Sequence, residues 1–176
     1  MLVAVSDTHA KTDHRLVGRT RSAVEEADLV VHAGDFTTEV VLESFREVAG
    51  SFRAVHGNRD TPAVTDRLPE TLTLTYGGAR IVVTHRQRGG DTGLAMLGRE
   101  RGADLVVHGH THRPRVTEAG PVTLLNPGSH ASPRGAPPSH AELDPDGERL
   151  AGRLVTVDGD VLERFRCQIH DQSRTD

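Results

Sequence analysis

Five short apolar runs in this sequence are each followed by residues that can bind a metal ion. The runs cover residues 2–5, 29–31, 54–55, 81–83 and 105–107. The groups that follow them belong to Asp7, His9, Asp35, Asn58, His85, His110 and His112. Together they offer mixed nitrogen and oxygen coordination, which suits manganese, iron, zinc or magnesium, whereas a structural zinc site would favour thiolates. The pattern therefore predicts a site for divalent metal ions.

Each of these elements has an ordinary structural explanation when it is taken alone. A lone Asp-x-His pair could be a turn aspartate with a surface histidine, and Gly-Asp or Gly-Asn is common turn chemistry. His85 could be a buried, hydrogen-bonded histidine, and a single His-x-His pattern has similar explanations. All of the elements occur in one chain, each at the end of an apolar run. This combination favours one shared metal site.

The elements that must position these residues can be read from apolar periodicity. Short runs rich in Val and Leu and bounded by glycine predict buried strands. Apolar stripes predict helices over 16–27, over 41–48 before Gly50, and from the predicted N-cap Asp91 to Gly102. Strands that alternate with helices predict an α/β arrangement. Groups that follow such strands should gather at one edge of the sheet.

The alternation weakens after about residue 114, where β signals dominate. Residues 71–75, 116–117 and 122–125 read as further strands, and an Asp-Gly turn joins predicted strands at 150–157 and 161–166. We therefore predict an α/β (α+β) fold, in which two packed mixed β-sheets form a β-sandwich flanked by α-helices. Residues 1–169 should form a single domain, and residues 170–176 a flexible C-terminal tail.

Composition limits the partners and the setting of the chain. The formal net charge of -4 and an aromatic content of 3% argue against a nucleic-acid partner, which would favour basic surface and stacking residues. No apolar run approaches the length of a transmembrane helix, so no membrane contact is expected. Cys167 is the only cysteine, which excludes an internal disulfide and fits a cytoplasmic location.

The order of the motifs resembles that of the calcineurin-like metallophosphoesterase superfamily. The matching motifs are Asp7-x-His9, Gly34-Asp35, Gly57-Asn58-x-Asp60, Thr84-His85 and Gly109-His110-Thr111-His112. Asn126-Pro-Gly-Ser129, followed by Pro133-Arg134, is similar to the small single-domain bacterial and archaeal phosphodiesterase branch. The resemblance spans about residues 1–157. The five motifs together are specific to the superfamily, and the branch resemblance is less so.

The resemblance implies a dinuclear metal site. It implies one ion on Asp7, His9 and His112, a second ion on Asn58, His85 and His110, and Asp35 as the bridge. Manganese is the first expectation, with iron, zinc, nickel or magnesium as alternatives. The implied activity is hydrolysis of a small phosphate ester, with phosphodiesters preferred, by a metal-activated hydroxide.

Two alternatives to this function stay open. The same site could serve a phosphomonoesterase, or the fold could act as a non-catalytic scaffold for protein partners, as in one eukaryotic retromer subunit. The scaffold is the weaker alternative because it need not keep a complete ligand set. The sequence also leaves a homo-oligomer open.

Two positions depart from the family pattern. Arg59 stands where many members carry a histidine that protonates the leaving group, and an arginine is a poor proton donor. Arg59 could clamp a phosphate oxygen or merely pair with Asp60. After His85, Arg86 and Arg88 could contact substrate phosphates or lie in a solvated loop. The predicted catalytic residues are Asp35, Asn58, Arg59 and Asp60.

The remaining histidines are expected outside the ligand set. One group lies two residues before proposed ligands and should support them or pack in the core: His32, His56 and His108. A second group is expected in loops or at the surface: His14, His130, His140 and His170. Within the second group, His130 is the best candidate for a substrate contact.

Overall fold

The computed structural model describes residues 1–170, which form two mixed β-sheets with helices on their outer faces. The strands in this part of the chain are β1 (Leu2–Val5), β2 (Leu29–His32), β3 (Phe52–Ala54), β4 (Thr71–Tyr76), β5 (Ala79–Thr84), β6 (Leu105–Val107), β7 (Pro114–Ala119), β8 (Val122–Pro127), β9 (Ser139–Asp146), β10 (Arg149–Thr156) and β11 (Val161–Gln168). The helices are α1 (Gly18–Glu26), α2 (Glu39–Val48), α3 (Pro62–Thr65) and α4 (Asp91–Glu100).

Each sheet combines parallel and antiparallel strands. The first has the order β11-β10-β9-β1-β2-β3, in which β1, β2 and β3 run parallel and β9 runs antiparallel to β1. The second has the order β4-β5-β6-β8-β7, with parallel β5, β6 and β8 between two antiparallel edge strands. The predicted sandwich of two mixed sheets is confirmed.

The central strands are buried on both faces, which explains their continuous apolar sequences. In β1, Leu2 and Ala4 point into the core between the sheets, where they join residues of both sheets. Val3 and Val5 point outward and pack in a second core with α1 and α2. Since successive side chains of a strand alternate between faces, a strand covered on both sides needs apolar residues at every position.

Several element boundaries differ from the predictions. Helix α1 begins at Gly18 rather than near residue 16, because Arg15 takes a positive φ of 51° and Val17 is extended, with φ of -137°. Helix α4 begins at Asp91, so the residue predicted as its N-cap lies inside the first turn and Gly90 precedes it. The Asp91 carboxylate instead pairs with Arg115 at 3.0 Å.

Strand β9 was not predicted, because two of its buried positions carry His140 and Glu142 rather than apolar residues. The Glu142 carboxylate accepts hydrogen bonds of 2.7 and 3.0 Å from Arg19 of α1, and further bonds from Arg153 of β10. His140 contacts the same carboxylate at 3.0 Å and Thr20 at 2.9 Å. This polar cluster therefore joins α1 to the sheet.

The Glu142 carboxylate is charged because its partners outweigh its burial. Burial would raise its pKa, but hydrogen bonds from His140, Arg19 and Arg153 hold the pKa well below the ordinary glutamate value. A carboxyl with a depressed pKa stabilises the fold fully above its unfolded-state pKa of about 4.3. That stabilisation is lost as the pH falls through the lower pKa of the folded state.

The first prediction tests this cluster. Glu142→Gln should lower the free energy of unfolding by about 2 kcal/mol at pH 7, because a neutral amide loses the charge pairing of this buried carboxylate with Arg19 and Arg153. The measurement is urea unfolding followed by circular dichroism. Glu148→Gln removes an exposed carboxylate from the turn between β9 and β10, and should change stability by less than about 0.5 kcal/mol. Equal effects in the two variants would contradict the role given to the cluster.

Candidate metal centre

The seven predicted ligands follow the carboxyl ends of strands from both sheets. In the first sheet, Asp7 and His9 follow β1, Asp35 follows β2 and Asn58 follows β3. In the second sheet, His85 follows β5, and His110 and His112 follow β6. Hydrogen bonds between loops hold these ends together. The backbone N–H of Asp7 donates to the carbonyl oxygen of Gly34 at 3.0 Å, and the backbone N–H of Gly109 donates to the carbonyl oxygen of His85 at 3.0 Å.

Asp7, His9 and His112 form one cluster of potential ligand atoms. The Nε2 atoms of His9 and His112 lie 3.2 Å apart, and their rings stack with centroids 4.8 Å apart. Asp7 Oδ1 lies 3.3 Å from His112 Nε2 and 3.7 Å from His9 Nε2. Three groups able to donate electron pairs to one cation therefore meet at a single point.

Asp35 and His85 form a second cluster that shares Asp7 with the first. Asp35 Oδ2 lies 3.3 Å from His85 Nε2 and 3.4 Å from His9 Nε2. The carboxylate of Asp35 thus lies between histidines of the two clusters. The ring of His110 is 5.4 Å from the ring of His85, but His110 itself is exposed and belongs to neither cluster.

Two atoms in these clusters are buried without a hydrogen-bond partner: Asp7 Oδ1 and His85 Nε2. His85 Nδ1 lies 2.7 Å from the carbonyl oxygen of Ala33, which can only accept, so in the neutral ring Nδ1 carries the proton and Nε2 a lone pair. The same argument leaves a lone pair on His112 Nε2, because His112 Nδ1 contacts the carbonyl of Ser132. Buried lone pairs that face a carboxylate fit a bound cation.

The backbone around the ligands is strained. Five of the seven predicted ligands have positive φ values. They are Asp7 at 55°, His9 at 45°, Asp35 at 62°, His110 at 74° and His112 at 60°. Residues other than glycine rarely adopt this left-handed conformation, and such outliers concentrate at functional sites. The surrounding hydrogen bonds must therefore hold each ligand in place.

Two motif glycines allow the ligand loops to approach one another. A Cβ atom on Gly57 would lie 2.1 Å from Asp35 Oδ1, and one on Gly109 would lie 2.0 Å from Ser6 Oγ and 2.6 Å from Asp7 Oδ2. Any side chain at either position would displace a ligand carboxylate. The glycines in these motifs are thus required by the site rather than by a turn conformation.

Asp60 holds the backbone around Asp35. Its carboxylate accepts hydrogen bonds from the backbone N–H groups of Asp35 at 3.1 Å, Thr37 at 2.7 Å and Gly57 at 2.7 Å. Arg59 contributes its backbone N–H, which donates to Asp35 Oδ1 at 2.8 Å. Within residues 1–170 the Arg59 guanidinium forms no ion pair with Asp60, so the alternative that Arg59 merely pairs with Asp60 is not observed.

The Asn126-Pro-Gly-Ser129 segment also supports the ligands, a role that the sequence did not reveal. Asn126 donates to the carbonyl of Gly109 at 2.9 Å and to Thr111 Oγ1 at 3.0 Å, which fixes the His-x-His loop. Ser129 donates to the carbonyl of Asp7 at 2.7 Å. The signal available in the sequence was the position of this segment at the end of predicted strand 122–125, on the same edge as the ligands.

Burial and mutual contacts set the pKa values of the cluster. Burial would raise the pKa of Asp35, but the contacts with His85 and the Arg59 N–H outweigh burial and lower the pKa to about 2. Burial would lower the pKa of His85, but Asp35 and Asp7 raise it. The pKa of His110 is lowered by burial, by His85 and by Arg86. The Asp35 carboxylate is therefore ionised at neutral pH.

Open cavities lie on either side of Asn58. One of about 200 Å³ is lined by His56, Gly57, Asn58, Glu70, Thr84, His85 and Arg86. The other, of about 470 Å³, is lined by His9, Lys11, Thr37, Asn58, Arg59 and Asp60. Both cavities include predicted metal ligands in their walls. A phosphate ester bound at the ligand clusters could therefore extend in two directions.

The other histidines divide differently from the prediction. His32 supports the site as expected: it contacts Thr8 at 2.9 Å, accepts the N–H of Gly34 at 3.1 Å and stacks on Phe36. His140 is buried in strand β9, so the expectation of a loop or surface position was wrong for it, whereas His130 lies in the loop between β8 and β9 and is buried there. His130 Nε2 contacts the carbonyl oxygen of His14, and burial lowers the pKa of His130 to about 4. His130 lines a cavity with His14 and Arg15 whose walls include none of the predicted metal ligands.

Comparison with known proteins agrees with this geometry. Residues 1–148 match the calcineurin-like phosphoesterase superfamily domain, and the chain belongs to this family. It is 32% identical over 166 residues to a "Probable metallophosphoesterase" of Methanothermobacter thermautotrophicus, covering 92% of this chain and 95% of that one. It is 33% identical over 112 residues to Phosphodiesterase YfcE of Escherichia coli, covering 60% of this chain and 59% of that one.

Solved structures share the fold over nearly the whole chain. A predicted phosphoesterase of Streptococcus pneumoniae has a TM-score of 0.73 at 28% identity and covers 94% of this chain and 96% of its own. Vps29 of Entamoeba histolytica, in a crystal structure with Zn²⁺, has a TM-score of 0.73 at 24% identity and covers 96% and 99%. The similarity to Vps29 therefore shows a shared fold only.

The family and the ligand clusters together define the class of the protein. It is a metal-dependent phosphoesterase, a hydrolase that acts on phosphoric ester bonds. Within residues 1–170, no helix has the length and apolar character needed to cross a membrane. Of the predicted tail at 170–176, residues 171–176 lie outside the described residues, whereas His170 donates its backbone N–H to Asp104 at 2.8 Å.

The second prediction concerns Asp60. Asp60→Asn should weaken manganese binding about tenfold to a hundredfold. The NH₂ group of the new amide is a donor, so it cannot accept the backbone hydrogen bonds that the carboxylate accepts and that hold Asp35 in place. The measurement is isothermal titration calorimetry of metal into the stripped protein. Asp66→Asn removes an exposed carboxylate just beyond α3 and should leave the affinity unchanged. Unchanged affinity in the Asp60 variant would refute its positioning role.

Proposed function

We propose that this phosphoesterase works with two divalent ions held by the seven predicted ligands. Asp7, His9 and His112 would hold one ion, Asn58, His85 and His110 the other, and Asp35 would bridge them. The observation that carries this proposal is the position of Asp35 Oδ2, 3.3 Å from His85 Nε2 and 3.4 Å from His9 Nε2. A carboxylate between two sets of imidazoles is suited to bridge two cations.

The charges of the site favour a phosphoryl group. The carboxylates of Asp7 and Asp35 would neutralise only half of the charge of two divalent ions, so the centre stays positive although the chain carries a net charge of -4. When bound, such ions lower the pKa of a coordinated water and stabilise the charge on phosphoryl oxygens. The chain's own task is to hold these groups in a fixed geometry, which Asp60, Asn126 and Ser129 support.

Arg59 would bind a non-bridging phosphate oxygen. Its side chain is exposed in the cavity that also includes His9 and Asn58, and its backbone is fixed by the hydrogen bond to Asp35. A guanidinium offers paired donors that match phosphate, and it stays charged at ordinary pH. It cannot supply a proton to the leaving group. We therefore expect turnover to favour esters of acidic alcohols such as nitrophenol.

Phosphodiesters are the preferred substrates in this proposal, and phosphomonoesters are the runner-up. The cavities on both sides of Asn58 could hold the two substituents of a diester, whereas a monoester would need only one of them. The likeness to Phosphodiesterase YfcE supports the same preference. Manganese is the proposed metal, since the nitrogen and oxygen ligands suit it, and iron, zinc, nickel and magnesium are the alternatives.

A non-catalytic scaffold is the competing function, and the shared fold with Vps29 is what favours it. Because a Vps29 was crystallised with Zn²⁺, metal binding alone does not separate the two functions. Turnover does. Open cavities support catalysis, and so does Arg59 beside the clusters, whose side chain pairs with no carboxylate of residues 1–170; a scaffold that acts through protein contacts needs neither.

The third prediction tests catalysis and substrate class together. The stripped protein reloaded with manganese should hydrolyse bis(p-nitrophenyl) phosphate faster than p-nitrophenyl phosphate, as measured by release of nitrophenolate. Asp35→Asn and His110→Ala should each lower kcat at least about 100-fold, because each removes a proposed ligand.

His170→Ala is the matched control for this assay. It removes a half-exposed imidazole bonded to Asp104 and should keep wild-type turnover. Absence of metal-dependent turnover in the wild type, or equal turnover in all variants, would favour the scaffold. Faster turnover of the monoester would reverse the substrate preference.

The fourth prediction separates Arg59 from the metal ligands. Arg59→Gln should lower kcat/KM for bis(p-nitrophenyl) phosphate about tenfold to a hundredfold, because one charged phosphate contact is lost. Manganese affinity by calorimetry should stay unchanged, since the backbone bond to Asp35 remains. Arg99→Gln, on the exposed face of α4, controls for loss of one positive charge. A parallel fall in metal affinity would assign Arg59 to the metal site instead.

Two expectations about the setting of the protein stay predictions. The single cysteine, which is buried, fits a cytoplasmic location. A homo-oligomer is also compatible with the proposed function, because the described ligand clusters are built from one chain. Neither expectation enters the arguments for catalysis.

A further inference from the structure

Two arginines beside the metal centre have no partner in the structure. Arg86 and Arg88 are exposed, and within residues 1–170 neither side chain forms an ion pair or a hydrogen bond. Other arginines are paired, including Arg115, which takes the nearby carboxylate of Asp91 at 3.0 Å. That pairing leaves Arg88 without the acidic residue closest to it in sequence. Two adjacent cations are thus free to bind an anion.

The two arginines extend the cavity that begins at the metal ligands. The cavity of about 200 Å³ includes Asn58, His85 and Arg86 in its walls. A second cavity of about 400 Å³ is lined by Glu70, Arg86, Gln87 and Arg88. Because Glu70 and Arg86 line both cavities, a ligand could reach from the metal centre to Arg88.

The loop that carries these arginines has a defined shape. Gly89 and Gly90 take positive φ values of 87° and 59°, and the N–H of Gly90 donates to the carbonyl of Gln87 at 3.2 Å. The carbonyl of Arg88 packs against Gly93, where a Cβ atom would come within 2.0 Å of it. The backbone positions of the arginines are therefore fixed by the turn into α4.

The charge along this path favours a doubly charged anion. Glu70 is the single acidic residue that lines either cavity, and in the described part of the chain its carboxylate pairs with no cation. Arg86 and Arg88 therefore leave an excess of positive charge. Guanidinium groups match the geometry of phosphate oxygens. The net charge of -4 and the aromatic content of 3% favour a small ligand over a polynucleotide.

We propose that Arg86 and Arg88 form a subsite for a second phosphoryl group, so that the favoured substrate is a small phosphodiester that also carries a phosphate monoester. The inference rests on the proposed function, because it takes the metal centre as the place where the scissile ester binds. Hydrolysis itself is unchanged: the water oxygen bonds to the diester phosphorus, the bond from phosphorus to the leaving ester oxygen breaks, and the products are a phosphomonoester and an alcohol, or nitrophenolate and a proton released to solvent. The second phosphate contributes binding and orientation.

The test compares two esters that differ by one phosphate. Thymidine 5′-(p-nitrophenyl phosphate) and the same ester with a 3′-phosphate both release nitrophenolate. The manganese-loaded wild type should show a kcat/KM about tenfold higher for the 3′-phosphorylated ester, as expected for two partly exposed charge contacts. The readout is the ratio of the two kcat/KM values, which cancels general effects of a substitution on the centre.

Charge variants should move this ratio in opposite directions. The double variant Arg86→Gln with Arg88→Gln should bring the ratio close to one, and Glu70→Gln should raise it. Arg164→Gln, an exposed arginine on β11, should leave the ratio at the wild-type value. An unchanged ratio in the double variant would overturn the proposal. So would a ratio that falls in Lys11→Gln instead, because the phosphate would then bind in the other cavity.

A binding measurement keeps this inference separate from the proposed function. Thymidine 3′,5′-bisphosphate and thymidine 5′-monophosphate are titrated calorimetrically into the manganese-loaded wild type and the double variant. The bisphosphate should bind the wild type about tenfold more tightly than the monophosphate does, and the two ligands should bind the double variant equally. If neither ester is hydrolysed, the proposed function fails, yet this titration still decides the subsite. Equal affinities in the wild type would overturn it.

Discussion

The structure of the metal centre depends on one buried carboxylate, that of Asp35. Its Oδ2 lies between His9 and His85, and its Oδ1 accepts the N–H of Arg59. A buried charge of this kind is stable only when its surroundings are fixed in place. Much of the local sequence follows from that requirement. Gly57 leaves room for the carboxylate, and Asp60 binds the backbone that carries it.

The backbone strain at the predicted ligands is a second constraint, and hydrogen bonds from the residues around them stabilise it. Asp7, His110 and His112 occupy a left-handed backbone conformation that their side chains disfavour. Ser129 holds the backbone of Asp7, and Asn126 holds the loop of the two histidines. Hydrogen bonds from strand β8 and the segment after it thus stabilise the strained backbone. The loops of the predicted ligands owe their shape to residues outside the predicted ligand set.

The sequence predicted the fold well where a strand has a simple local pattern, and five of the seven predicted ligands lie in the two clusters of the structure. Apolar runs buried on two faces, such as β1, are unmistakable, and so is the order of the ligand motifs. Strand β9 was missed because His140 and Glu142 replace apolar residues with a buried ion cluster, whose partner Arg19 is distant in sequence. The burial of His130 was missed for a similar reason, since its neighbours His14 and Phe45 come from remote segments.

Loop geometry was the least predictable part of the site. Whether Arg59 would pair with Asp60 depended on where three backbone N–H groups point, and these take the whole carboxylate. The predicted N-cap at Asp91 failed because Arg115 from β7 competes for its side chain. In each case the deciding partner lies on another element. Local propensity contains no information about such a partner.

The placement of β1 has a consequence for how the protein is made. This strand pairs with β2 on one side and with β9 on the other, where Leu2 lies opposite Leu143. On the ribosome, β1 is synthesised well before β9, since more than a hundred residues separate these two neighbouring strands along the chain. Contacts between such distant parts of a chain make folding slow. The predicted ligands therefore reach their final geometry only after β9 has been synthesised. A shorter nascent chain contains the ligand residues but not yet the arrangement that could bind metal.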